Sequence, residues 1–335
     1  MSSRENTDHN GETDTTQVKE NTSHCEKIEI ISVDLLDQNR DLVTELREFA
    51  RSLKLEFGWH YLLDIIWTLT QLGAVEQKRI MDAGAGTGLM QWWLAENGAQ
   101  VISVDRVSRA NLPLRFRNRY YVQGLRPDDI NSPGLFFTTY NQEGSGSASR
   151  STARKLVSQG RDLFEMTQYL SRNYFKGSDK KVSRGRVSIY NQNLAHLIDI
   201  ADDSFDAIIA ISALEHNTKD GLKMVARELL RVLKPGGVLL ATLCAARDQD
   251  WWHVPSSGWC YTGNSLKNIF QFGDDTPSNY DQYDQLFNQL KNCDDLRDNL
   301  AEFYFKSGDN GMPWGKWYPQ YQPVGVCKIK GKKGQ

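Results

Sequence analysis

Residues 79–90 read RIMDAGAGTGLM, placing Gly84, Gly86 and Gly88 at alternate positions behind an apolar run and an acid, Asp82. This order turns a strand tightly into a helix beside a bound nucleotide-like ligand. A helix N-terminus offers unpaired backbone N–H groups and the positive end of a dipole. Glycines let the backbone approach the ligand and take dihedrals that a Cβ forbids. The chemistry implied is the holding of a nucleoside-bearing cofactor at a strand end.

Two classes of cofactor use such a turn. A dinucleotide turn needs GxGxxG, with its third glycine where this chain has Leu89. Here the third glycine comes one position earlier, at Gly88, which gives GxGxG. Asp82 would face a diphosphate unfavourably, whereas the cationic amino group and sulfonium of S-adenosylmethionine favour an acid there. Asp105, closing the apolar run VISVD, can accept both hydroxyls of a ribose and suits either class.

Two histidines are candidate bases because each follows an apolar strand-like run. His216 stands in SALEHN and His253 in DWWHVP, with His60 and His196 as further possibilities. For His216 the plainer alternative is a histidine that orders its loop. Aromatic residues gather in three places. Trp59 and Tyr61 precede the glycine turn; Trp251, Trp252, Trp259 and Tyr261 follow the later strands; Trp314, Trp317 and Tyr318 come near the C-terminus. Such rings suit a sugar or an aromatic acceptor, or the packing of loops over a sheet edge.

The elements that position these residues show in the periodicity. LVTELREFARSL and WHYLLDIIWTLTQLG read as helices, the second ending at Gly73. A strand over Arg79 to Asp82, the helix LMQWWLAENG and the strand AQVISVDR follow. RVSIY, FDAIIAIS and VLLATL are further strand-like runs. LKMVARELLRVL is an amphipathic helix, KPGG a tight turn, and QPVGVCKIK a last strand. Alternating strands and helices of these lengths predict an α/β fold with a parallel sheet.

Four blocks in order, IMDAGAGTG, VISVD, DDSFDAIIAISALEH and ELLRVLKPGGVLLAT, resemble those of class I S-adenosylmethionine-dependent methyltransferases of the small-molecule type. The resemblance implies a Rossmann-like seven-stranded sheet with helices on both faces and a reversed last strand. It also implies that Asp82, Gly84, Ala85, Gly86 and Gly88 line the methionine part of the cofactor. Asp105 would hold the ribose, with Arg106 over the adenine face. Where the family often has an acid against the adenine, this chain has Asn193 nearest, with Leu194 beside it.

The rest of the chain sets the bounds. Residues 1–27 are nearly devoid of large apolar side chains and are expected to be a disordered tail without a secretory signal. Residues 28–335 then form one methyltransferase domain. Within it, 33–73 supply N-terminal helices, 107–186 a partly helical insertion or lid after strand 2, and 245–320 an aromatic-rich elaboration on the substrate side. From Arg106 to Arg186 there are 16 Lys and Arg against 6 Asp and Glu, in a chain whose net charge is −2. Arg115, Arg117, Arg119 and Arg126 interleave with aromatics as a nucleic-acid surface would. The overall acidity and the absence of a DNA-methylating motif in SALEHN argue against that partner, and a phosphorylated small acceptor explains the same arginines. Five scattered cysteines suggest neither a disulfide framework nor a metal site, and no apolar run is long enough to span a membrane. The expectation is a cytoplasmic enzyme that methylates a small molecule at oxygen, a glycan precursor sugar or a specialised metabolite. The alternatives are a non-catalytic cofactor-binding regulator and a nucleic-acid methyltransferase.

Overall fold

The computed structural model describes residues 26–131, 185–305, 312 and 315–331. The first strand, β1 (Lys27–Ile30), begins at the last residue of the stretch expected to be a tail; residues 1–25 lie outside the described residues. Three helices follow: α1 (Asp34–Gln38), α2 (Arg40–Ser52) and α3 (Tyr61–Leu72). Gly73 ends α3 at φ +63, a conformation that favours glycine. Beyond it come β2 (Arg79–Ala83), the glycine turn, α4 (Met90–Glu96) and β3 (Gln100–Asp105).

The start of the expected insertion contributes α5 (Leu114–Arg119) and then a short strand, β4 (Tyr121–Gly124), where a single helical or aromatic piece is expected. β4 pairs in parallel with β5 (Arg186–Asn191) and so extends the sheet at its edge. Residues 132–184, the bulk of the expected lid, lie outside the described residues. β6 (Phe205–Ile211), α6 (Lys219–Val232) and β7 (Leu233–Ala245) complete the central repeat. Thr218 caps α6, accepting from the Gly221 N–H at 3.0 Å, and Leu222, Val225, Ala226, Leu229 and Val232 form its buried stripe. The expected KPGG turn is an irregularity inside β7. Opposite it the pairing steps from Phe205↔Leu233 to Ala207↔Val238, and Gly236 takes φ +78.

The last third holds β8 (Trp251–His253), β9 (Gly258–Tyr261), α7 (Gly263–Phe270), α8 (Tyr283–Lys291), α9 (Asp294–Asp298) and β10 (Gln322–Ile329). The sheet runs β1-β10-β7-β6-β2-β3-β5-β4, with β8 and β9 attached beside β7. From β7 to β4 the neighbours are parallel, while β10 is reversed between β7 and β1. Among the described residues the sheet therefore has ten strands where seven are expected. Four of them, β1, β4, β8 and β9, are three or four residues each, too short for a periodic pattern to mark them.

Both faces of the sheet are covered. Ile80, Val101 and Ile209 pack with α2, α3 and α4, while their neighbours Met81, Ile102 and Ile208 pack on the other side with α6 and α7. Continuous apolar strands are what a doubly covered parallel sheet requires. Trp67 of α3 lies so close to β10 that a Cβ on Gly325 would come within 2.3 Å of its ring. Among the described residues, no helix is long and apolar enough to cross a membrane.

Candidate active site

Because β2, β3, β5 and β6 are parallel, their C-terminal ends meet at one edge of the sheet, where ligands of open α/β sheets bind. Three adjoining cavities of ≈ 280, ≈ 320 and ≈ 330 Å³ open there, and Tyr61 and Ser212 line all three.

The glycine turn forms the wall of the second cavity. Gly84 sits at φ +77, and a Cβ on it would stand 2.4 Å from the Ala213 Cβ. Gly86 sits at φ +47, where the nearest protein atom to an added Cβ is an Asp105 carboxylate oxygen 3.9 Å away. Glycine is thus demanded by packing and backbone at the first position, and mainly by backbone at the second. The Gly86 N–H donates to Asp105 Oδ2 at 2.8 Å and the Val107 N–H to Oδ1 at 2.8 Å. The carboxylate thereby joins the end of β3 to the turn after β2.

Asp82 lies in the wall of the same cavity at 3% exposure. Burial pushes its carboxyl up to about 7, with Arg109 pulling against this and the Asp105 carboxylate adding to it. Arg109 is itself buried. Its guanidinium donates to the carbonyls of Gly86 at 3.3 Å, Ser103 at 2.8 Å and Tyr190 at 3.1 Å, and to the Ser103 hydroxyl. One arginine therefore ties β3, β5 and the glycine turn together. It lies among loop-like residues, and only the fold shows its role.

The first cavity is lined by Gly84, Asp105, Arg106, Asn193, Leu194 and His216, with Val107, Ala213 and Asn217. The structure thus brings the expected ribose and adenine residues to one cleft. Asn193 Oδ1 accepts the Ala195 N–H at 3.0 Å in a local turn. The residues fit S-adenosylmethionine: a carboxylate at the end of β3, a buried acid beside the turn and an approach kept open by Gly86.

The third cavity separates the two candidate bases. His216 lines both this cavity and the first. Its Nδ1 is 2.9 Å from the Ser257 carbonyl, which can only accept, so Nδ1 carries the proton and Nε2 is the basic nitrogen. His253 is 1% exposed, with Nδ1 2.6 Å from the Ser256 hydroxyl and Nε2 3.1 Å from Gln320 Oε1. Burial lowers its basicity, and it lines none of the three cavities. The base role expected of His253 gives way to a structural one, because both ring nitrogens are spent on holding its loop. His60 is buried, its Nδ1 2.5 Å from Asp64 Oδ2 and its Nε2 3.3 Å from the Tyr321 hydroxyl.

Several residues of this cavity carry no signal in the sequence. Ser212 has φ +43, a strained backbone at the end of β6, and its hydroxyl donates to Glu215 Oε1 at 2.5 Å. The rings that line the cavity are Trp59, Tyr61, Phe303, Tyr304 and Tyr321. The described aromatic residues of the two later stretches lie elsewhere. Tyr261 is in the core, Trp317 packs edge-on to Trp59 at 5.9 Å, Trp252 meets Trp259 at 5.6 Å, and Trp314 lies outside the described residues. The arginines read as a nucleic-acid surface have local partners: Arg119 pairs with Glu96, Arg126 with Asp129, and Arg117 donates to the Asn131 carbonyl. Arg115 lies over the Phe116 ring. Among the described residues no group of three or more His, Cys, Asp or Glu is placed to hold a metal ion.

Comparison with known proteins agrees with this geometry. A family profile described as a methyltransferase domain matches residues 59–272. No curated protein matches the chain. Among solved structures the chain is similar to the YcgJ protein of Bacillus subtilis, at 15% identity and a TM-score of 0.40, covering 80% of this chain and 98% of that one. A second is an S-adenosylmethionine-dependent methyltransferase from Mesorhizobium loti, at 13% identity and 0.35, covering 77% and 93%. A third is phosphoethanolamine N-methyltransferase 2 of Haemonchus contortus, at 14% identity and 0.39, covering 89% and 60%. With the profile spanning more than half of its length, the chain belongs to the methyltransferase domain family and is a class I enzyme that uses S-adenosylmethionine.

Proposed function

We propose that the enzyme methylates a hydroxyl group of a small molecule seated in the cavity shared by Tyr61, Ser212 and His216. A sugar of the glycan-precursor type or a hydroxylated specialised metabolite is the acceptor class. S-adenosylmethionine, when bound, supplies a methyl group activated by its sulfonium. Asp82 and Gly84, Ala85, Gly86 and Gly88 would hold its methionine part, Asp105 its ribose, and Arg106, Asn193 and Leu194 its adenine.

The observation that carries the reading is the position of His216. It lines both the cofactor cleft and the adjoining cavity, with Nδ1 fixed to the Ser257 carbonyl. A hydroxyl is a weak nucleophile until its proton leaves, and Nε2 is the group available to take it. The buried rings of Trp59, Tyr304 and Tyr321 and the strained Ser212 hold the acceptor's approach rigid, which counts heavily in a reaction governed by alignment. The phosphorylated acceptor considered from the sequence finds no support in this cavity, since no Lys or Arg stands among its described lining residues. Incubation with methyl-labelled cofactor and a fractionated metabolite extract tests the reading. Label at an oxygen of a small molecule, lost in His216→Gln, is the expected result.

A further inference from the structure

Beside His216 the acceptor cavity carries a buried carboxyl group with one oxygen left unpartnered. Glu215 is 2% exposed; its Oε1 accepts from the Ser212 hydroxyl, with Cys244 Sγ 3.9 Å away, while its Oε2 has no hydrogen-bond partner. Room for this side chain comes from Gly258 in β9, where a Cβ would stand 3.0 Å from Glu215 Cγ. Glu56 lines the same cavity, is exposed and makes no ion pair with a described residue. Behind His60, Asp64 is fully buried with Oδ1 unpaired. Neither Lys nor Arg balances these carboxyl groups among the described lining residues.

The remaining wall is aromatic. Trp59 meets Tyr321 edge-on at 5.1 Å, and His60 meets Tyr61 at 5.2 Å. Leaving a buried carboxyl oxygen without a partner is costly, and more so if the group is charged. A structure keeps such a group when a ligand completes it. Ring faces attract an ammonium through their quadrupoles, and carboxylates attract it directly.

We infer that this cavity takes an acceptor that carries a protonated amine, its ammonium held by the free Glu215 oxygen and the surrounding ring faces. An amino sugar or an aromatic amino alcohol has the required chemistry, with its hydroxyl toward His216. The inference rests on reading the cavity as the acceptor site.

Calorimetric titration of the full chain, saturated with S-adenosylhomocysteine, tests it with two series matched in shape and differing in charge. One is glucosamine, glucose and glucuronate; the other is 2-phenylethylamine, 2-phenylethanol and phenylacetate. In at least one series the amine is expected to bind about tenfold tighter than its neutral analogue, with the carboxylate rejected. Glu215→Gln is expected to erase that preference. Glu56→Gln, at an exposed position that tolerates change, is expected to weaken amine binding by roughly two- to threefold. Equal binding of amine and alcohol in both series, a preference for the carboxylate, or no binding by either amine overturns the inference. The two readings fail separately. A natural product methylated at nitrogen would overturn the assignment to oxygen and leave the recognition of an amine standing.

Discussion

Asp105 accepts the Gly86 N–H at 2.8 Å, so the carboxylate assigned to the ribose also fixes the shape of the glycine turn. Its second oxygen is fixed by the Val107 N–H, also at 2.8 Å. A ribose bound there would meet a carboxylate already oriented by two backbone donors.

Replacement of this side chain is expected to act on binding first. Hydrogen bonds to a charged group contribute about 1.5–3 kcal/mol, so Asp105→Ala should weaken S-adenosylhomocysteine binding by roughly 10- to 150-fold. Calorimetric titration reads the change directly. An unchanged affinity would remove Asp105 from the cofactor site.

Asp82 gives a pH signature. Burial, the largest cause, raises its carboxyl to about 7 in the folded chain, against about 3.9 when unfolded. Between these values the unfolded chain loses a proton that the folded one keeps. Asp82 thus favours folding fully at low pH, and that contribution disappears as the pH rises through about 7. Asp82→Asn should accordingly gain about 2–5 °C in Tm relative to the parent on going from pH 5 to pH 8. Affinity for the cationic amino group of S-adenosylhomocysteine should rise through pH 7 in the parent and stay low and flat in the variant. Parallel Tm profiles would contradict the assignment.

Arg109 is expected to matter for stability as much as for binding. Its guanidinium satisfies carbonyls of Gly86, Ser103 and Tyr190 from one fork. Arg109→Met should cost about 2–4 kcal/mol in a denaturant titration, because buried acceptors lose their donors. Arg109→Lys should recover little of it, since an ammonium cannot span the same acceptors. Full recovery by lysine would reduce the arginine to a mere positive charge.

The glycines should differ in kind. Gly84→Ala places a Cβ 2.4 Å from Ala213 Cβ at φ +77, so the loop after β6 must move, and a loss of about 2–4 kcal/mol is expected. Gly86→Ala meets no protein atom within 3.9 Å and should cost about 1 kcal/mol of stability while impairing cofactor binding. Thermal unfolding beside a binding titration separates the two.

Much of this was legible in the order of residues. The glycine turn, β3 with its terminal acid, α6 and the reversed β10 each carry a local pattern, and local patterns survive in a linear chain. Tyr61 and Ser212 do not. One begins a helix whose other residues read as core, and the other is an ordinary polar residue after a strand; only the packing of α3 against β6 brings them together. Arg109 has the same difficulty, since its acceptors belong to three separate segments. Glu215 has no sequence pattern of its own, yet the short turn after β6 leaves it buried in the cavity wall beside His216. His253 misleads for the opposite reason. It follows a strand on the ligand side, but Ser256 and Gln320 occupy both of its nitrogens.

The most direct measurement compares the full chain with His216→Gln in labelled methyl transfer to fractionated metabolites, with the products placed by mass spectrometry. Label at a hydroxyl oxygen of a small molecule is expected, with kcat lowered by about 10²- to 10⁴-fold in the variant and cofactor affinity changed by less than about tenfold. Label in nucleic acid or protein, or equal turnover by the two enzymes, would contradict it.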